Sequence, residues 1–345
     1  MIQTPSELDC FLEKIANDQY LAIDTEFKRV STFYPELCLI QIATPTQIDC
    51  IDVLAIKDLS GLFAKLYDPQ THWVVHSARQ DIEALYYLSE QLPTQLFDTQ
   101  LAASLLGMSH QISYQALTID LQDVHLEKAY TRLDWTTRPL PAGAIDYALD
   151  DVRYLLESQQ QLQQRLIQEN KLDWLVEDGQ KLLAADLYQP NFSEAWKKVK
   201  GINRINKKAQ NHAIQLAAWR ESRAIAQNKP RRWVMDDEKL LNYALQKSQL
   251  SAAAKVQFDS FIEQHVELVN LDKPLVKNKP PTASEKAEKN KLQKLIQQKA
   301  DAYNLDSSMI ANGKSLLKYI RGDHSVEFTQ GWRGELLRGE LKNAK

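Results

Sequence analysis

Between residues 20 and 30 the chain reads YLAIDTEFKRV, and two acids come straight out of an apolar run. Leu21 to Ile23 have the character of a buried strand. Side chains in a strand alternate between faces, so Asp24 and Glu26 share one side and Thr25 takes the other. Two carboxylates that close repel each other unless a cation or hydrogen-bond donors neutralise them. A strand end in water would tolerate the pair, and a lone D-x-E says no more than that. Two further segments change its meaning. In HWVVHSARQDIEAL, Asp81 stands just past a strand and inside the first turn of a helix, where the helix dipole alone would explain an acid. In DYALDDVRYLL, Tyr147 and Asp151 are four apart and project from one helix face. Four carboxylates converging at one sheet edge would suit two hard divalent cations, which take oxygen ligands and leave positions for water and phosphate. Ions held about 3.5–4 Å apart stabilise both the attacking and the leaving oxygen of phosphodiester hydrolysis.

The elements that must position these residues follow from the pattern. YLAIDTEF, ELCLIQIAT and QIDCIDVL are β-rich runs separated by turn signals, as in an antiparallel meander. DLSGLFAKLYD then reads as a helix, HWVVHSA as a strand, RQDIEALYYL as a helix, QLFDT as a strand and QLAASLLG as a helix. Strands alternating with helices indicate an α/β layer architecture. Asp98 has the position of an N-cap. From 113 to 195 the chain is largely helical, with Ile145, Leu149, Val152 and Leu156 on one face. Residues 204–270 read as several helices broken by KPRRW, and the Lys- and Pro-rich stretch 273–291 reads as a linker. This gives four expected regions: 1–195, 196–272, the linker 273–291, and a helical 292–345.

The formal net charge of −3 conceals a division. Residues 1–195 carry 13 Lys and Arg against 29 Asp and Glu, whereas residues 197–232 carry 11 against one, Glu221. That excess predicts a polyanionic partner for the second region. Lys197, Lys198, Lys200, Arg204, Lys207 and Lys208 form the densest part. Arg231, Arg232 and Trp233 put an aromatic ring among cations, which suits stacking on unpaired nucleic-acid bases. Lys28 and Arg29 are candidates for the backbone of such a partner. The helical spacing of Trp219 predicts a core position, and His76 is expected to be a satisfied structural histidine. Cys10, Cys38 and Cys50 have no CxxC spacing and point to a reducing cytoplasm. The amino terminus lacks signal-peptide character, and no run approaches membrane-spanning length.

Taken together, Asp24 and Glu26 in IDTEF, Asp81 in HSARQDIEAL, and Tyr147 with Asp151 in DYALDDVRYL resemble the three motifs of the DEDD 3′→5′ exonucleases. The tyrosine four residues before the last Asp marks the DEDDy branch; the sister branch has histidine five before it, where this chain has Asp146. YPELCLIQIAT and LDWTTRPL fit the same pattern. The segment 216–244, LAAWRESRAIAQNKPRRWVMDDEKLLNYA, resembles the helicase-and-RNase-D C-terminal (HRDC) domain, and 287–345 matches a second such domain less closely. The arrangement is similar to the bacterial ribonuclease D family. The fold implied is an α/β exonuclease domain, with a ribonuclease H-like mixed sheet flanked by helices, followed by all-α HRDC-type domains.

The resemblance further implies a metal-dependent 3′→5′ exoribonuclease, a monomer that trims structured RNA, tRNA precursors above all, with two Mg²⁺ or Mn²⁺ ions. Asp24 would bridge both ions, with Glu26 and Asp151 completing the site of the ion that activates water. Asp81 would hold the second ion through its hydration water. Tyr147 would orient the attacking water, because an ordinary phenol with a pKa of about 10 is a poor base at neutral pH. Two rivals remain at this level. A proofreading DNA exonuclease has the same four acids, although the HRDC-like tail argues against it. A non-catalytic RNA-binding protein would not need all five catalytic positions filled.

Overall fold

The computed structural model describes residues 1–127, 129–265, 268 and 280–343. Contacts divide the chain into two units. One comprises residues 1–28, 37–187 and 281–345, and the other residues 29–36 and 188–280.

The first unit opens with α1 (Pro5–Lys14), started by a capping box in which Thr4 and Glu7 satisfy each other's backbone N–H groups. Five strands follow: β1 (Tyr20–Lys28), β2 (Glu36–Ala43), β3 (Ile48–Asp52), β4 (His72–Val75) and β5 (Gln95–Asp98). Their order across the sheet is β3-β2-β1-β4-β5. β2 and β3 are antiparallel, with Ile40 opposite Ile51, whereas β1–β4 and β4–β5 are parallel. The sheet is therefore mixed, with β1 at its centre. Helix α2 (Ser60–Leu66) precedes β4 and α3 (Arg79–Ser89) follows it. Helices α4 (Thr99–Leu105), α5 (Tyr114–Gln122), α6 (Ala144–Arg153), α7 (Leu155–Gln168) and α8 (Leu172–Leu182) come after β5. Val152 and Leu155 pack on Ala22 and Ala43, so α6 and α7 cover the sheet face that carries the even-numbered residues of β1. The odd-numbered Thr25 faces α3 on the other side.

Asp98 caps α4 as expected, accepting from the N–H groups of Gln100 and Leu101. The run from Ala144 to Gln168 is two helices rather than one. It breaks at Tyr154, whose N–H is turned toward the Tyr114 hydroxyl at 3.2 Å.

Residues 283–291, expected as linker, are the first turns of helix α13 (Ala283–Ala302); Thr282 and Glu285 form a capping box that starts it there. Linker residues 273–279 lie outside the described residues, as do 269–272 at the end of the second expected region. Helices α14 (Ser307–Ile310), α15 (Gly313–Ile320) and α16 (Gly331–Leu336) follow α13. They do not build a core of their own. Leu292, Ile296 and Trp332 share one with Ala102, Leu105, Leu166 and Leu175 of α4, α7 and α8. Trp332 stacks on Trp174 with ring centroids 4.5 Å apart, and buried Lys171 donates to the carbonyls of Leu105 and Tyr303. Arg333 grips Asp178 of α8 through both carboxylate oxygens, at 2.6 and 2.9 Å.

In the second unit, α9 (Lys207–Ala226) is the central helix, capped by Asn206. The short α10 (Arg231–Val234), α11 (Asp237–Ala244) and α12 (Ala252–Gln264) complete it. Its core joins Ile214, Leu216, Ala217 and Trp219 to Leu240, Phe258 and Phe261. Trp219 is thus a core residue, as its spacing predicts. Among the described residues, no helix is long and apolar enough to cross a membrane.

Candidate active site

β1 carries Asp24 and Glu26 toward the face covered by α6, and α6 presents Asp151 back to them. One carboxylate oxygen from each of Asp24, Glu26 and Asp151 lies within 4.8 Å of the others. All three are half-buried. Burial raises every one of these carboxyls, and repulsion from neighbouring carboxylates adds to it. Glu26 is pushed up to about 8 by burial and by Asp151 and Asp81. Asp151 is pushed to about 7, by burial first and then by Asp150. Asp24 is also raised well above the usual carboxylate range, by burial first and then by the charges of Asp81, Asp151 and Glu26. The charged groups acting most strongly on Asp24 are thus all carboxylates. A cluster of anions that repel each other and hold hard oxygen donors a few ångströms apart fits divalent cations.

Asp81 joins this group electrostatically but stands outside the triplet. It is buried in the first turn of α3, where it accepts a 2.6 Å hydrogen bond from the Thr25 hydroxyl. Burial pushes it to about 7 although that bond lowers it. Thr25, which alternation turns away from the acid pair, thereby ties α3 to β1. The turn ahead of α3 is held by Asp98, which accepts from the N–H groups of Ser77 and Ala78. His76 is satisfied as expected: Nδ1 lies 2.9 Å from the Thr99 hydroxyl, and Nε2 donates to the Ile112 carbonyl at 3.0 Å.

Tyr147 sits one helical turn before Asp151. Its ring is flanked by Tyr130 edge-on, with centroids 5.8 Å apart, and by Trp135 nearly parallel, at 6.4 Å. Burial raises the phenol, and the charges of Asp151, Glu26 and Asp24 raise it again, so it stays protonated. Trp135 is buried against Cys38, Leu39, Ala144 and Ala148. The loop that carries it is fixed at both ends. Arg138 grips Asp52 with two 2.7 Å bonds and donates to the Trp135 carbonyl, and Asp134 binds Lys28 at 2.7 Å. The Tyr130 hydroxyl donates to the Ala142 carbonyl. Gly143, with φ +84°, lets this approach occur, since a Cβ there would sit 3.1 Å from the Tyr130 oxygen. Tyr130, Trp135 and Arg138 were not singled out from the sequence. The LDWTTRPL motif was the signal, but it gives no indication of what Trp135 touches.

The cations expected to hold nucleic acid divide into two sets. Lys28 is ion-paired with Asp134, Lys197 with Glu194, and Arg231 bidentately with buried Glu221, which Lys198 also approaches at 3.8 Å. Arg29 donates to the Phe33 carbonyl at 3.1 Å. Lys200, Arg204, Lys207, Lys208 and Arg232 are exposed and form no ion pair among the described residues. Trp233 is also exposed.

A family model described as a 3′-5′ exonuclease matches residues 1–167. The ribonuclease D of Bartonella henselae is 33% identical, the match covering 98% of this chain and 87% of the relative. That of Pseudomonas paraeruginosa is also 33% identical, over 94% of this chain and 92% of the relative. The chain belongs to the ribonuclease D family. Ribonucleases D are metal-dependent 3′→5′ exoribonucleases, and this chain is a hydrolase of that class. The crystal structure of Escherichia coli RNase D, titled an exoribonuclease involved in structured RNA processing, agrees in fold. It matches with a TM-score of 0.86 at 24% identity, over all of this chain and 97% of that one. The mixed sheet with helices on both faces and the helical C-terminal region are thus the ribonuclease D architecture.

Proposed function

We propose that this chain removes nucleotides one at a time from the 3′ end of structured RNA, tRNA precursors above all, by two-ion phosphodiester hydrolysis in the cytoplasm, acting as a monomer. The observation that carries the reading is the triplet Asp24, Glu26 and Asp151, with ligand atoms within 4.8 Å and with carboxylates as the charges acting most strongly on Asp24. Asp24 would be the shared ligand of two Mg²⁺ or Mn²⁺ ions, with Glu26 and Asp151 on one and Asp81 serving the other. When bound, such ions offset the charge on the scissile phosphate and make water acidic enough to ionise near neutral pH. The chain's own residues do the rest. Tyr147, protonated and held between Tyr130 and Trp135, orients the attacking water against the terminal phosphate. Thr25 fixes the Asp81 carboxylate. The helical unit serves as an HRDC-type module in which unpaired lysines and arginines attract phosphates.

A 5′-labelled tRNA bearing extra 3′ nucleotides, incubated with and without Mg²⁺ or Mn²⁺, tests this. The expected result is a metal-dependent ladder shortening from the 3′ end, absent in Asp24→Asn. RNA that stays intact yet shifts on a gel would overturn the nuclease reading for that substrate. Faster degradation of a DNA oligomer than of RNA would overturn the substrate assignment.

A further inference from the structure

Two shallow concavities on the helical unit meet at Arg232. One, of about 680 Å³, is lined by Lys200, Arg204 and Arg232 over an apolar floor that includes Leu241 and Leu245. The other, of about 320 Å³, is lined by Arg29, Phe33, Arg231, Arg232 and Trp233. Three of these cations, Lys200, Arg204 and Arg232, are exposed and form no ion pair among the described residues. The acids nearby are mostly committed. Asp236 caps α11 through the Lys239 N–H, and Asp237 is held by Arg220 and the Lys200 N–H. Glu238 alone is left facing the first concavity. At the other end Trp233 is 64% exposed, an indole that packs on little of its own unit. The second wall comes from far away in sequence. Asn228, in a left-handed conformation at φ +44°, accepts from the N–H groups of both Phe33 and Tyr34 at 3.0 Å. Arg231 lies over the Phe33 ring at 5.7 Å.

We propose that this composite groove is a track for single-stranded RNA, with phosphates on Lys200, Arg204 and Arg232 and a base stacked on Trp233. The proposal rests on the RNA-exonuclease reading above and adds where on the helical unit the strand runs. Charge alone would accept any polyanion. The flat exposed indole between cations selects unpaired bases, because a duplex hides their faces. An acidic protein segment would use the cations and leave the indole idle.

The test is fluorescence anisotropy of a 5′-labelled single-stranded RNA 12-mer, and of its duplex, with the full-length protein in EDTA. Titrations run from about 50 to 200 mM salt. Trp233→Ala is expected to weaken the single strand roughly tenfold with the salt slope unchanged, and Trp233→Phe to restore most of the loss. Arg204→Ala combined with Arg232→Ala should lower the slope by about 1.4, at about 0.7 per phosphate contact. The three substituted positions are exposed, so these variants are expected to fold, and circular dichroism verifies that they do. Wild-type affinity and slope in all variants would overturn the track. So would a duplex bound as tightly as the single strand and equally insensitive to Trp233, which is a basic surface without stacking. The tRNA assay separates the two readings. Metal-dependent trimming with unaffected variants overturns the track alone; a Trp233-dependent track with no trimming overturns the exonuclease assignment alone.

Discussion

Glu26, Asp151 and Asp81, with pKa values pushed to about 8, 7 and 7, bind protons in the folded chain that the unfolded chain has already lost. Stability without metal must therefore fall as pH rises from the ordinary carboxylate range near 4 toward 8. Thermal melting in EDTA across that window checks the sign; a flat or rising curve would contradict the repulsion. Asp24→Asn removes one charge from the cluster. It is expected to raise the EDTA melting temperature by about 2–4 °C while abolishing both activity and the Mn²⁺-induced shift, a trade of stability against function. Tyr147→Phe keeps the ring packing and loses only the hydroxyl. Turnover should fall about 100-fold with little change in KM, because a misplaced water costs that much; an equal loss in KM would assign the tyrosine to binding instead.

The wall behind Tyr147 is built by the loop between α5 and α6, pinned by Arg138 to Asp52 and by Asp134 to Lys28. Asp52 is 1% exposed, so Arg138→Ala leaves a buried charge unpaired, at a cost of about 3–5 kcal/mol. The expected phenotype is a lower melting temperature and slower turnover with the metal-induced shift retained, since the acids are untouched. Loss of that shift would mean that the loop also shapes the ion site. These pairings show where sequence reading stops. Asp24 and Glu26 were legible because strand alternation is a local rule, and the Asp98 cap for the same reason. Lys28 and Arg231 looked equally available to RNA, yet each is engaged by an acid. Asp134 stands 106 residues from Lys28, and Glu221 lies on a different helix from Arg231. Nothing local encodes such partners. The break at Tyr154 was missed likewise, because its N–H goes to a tyrosine 40 residues earlier.

On the scale of the whole chain, the C-terminal helices are bound to α8 through Asp178. Burial alone would raise this carboxyl, but the hydrogen bonds of Arg333 and Lys181 outweigh it and hold it low. A lowered carboxyl stabilises the fold above the ordinary carboxylate range near 4, and that contribution vanishes as pH falls through the lowered value. Asp178→Asn should accordingly melt several degrees below wild type at pH 7, with the gap narrowing below about pH 4. A gap independent of pH would assign the loss to packing. The same attachment bears on biosynthesis. Chains emerge from the ribosome amino terminus first and tend to fold domain by domain. Here the clustered carboxylates of residues 24 to 151 are translated early, but α4, α7 and α8 lack their partners until Leu292, Ile296 and Trp332 have been made. A nascent chain stopped before those residues exposes the apolar faces of α4, α7 and α8 to chaperones and proteases. Burial of those faces is thereby deferred until residues 292–332 have been made, and fragments lacking them are expected to be cleared by proteases faster than chains that contain them.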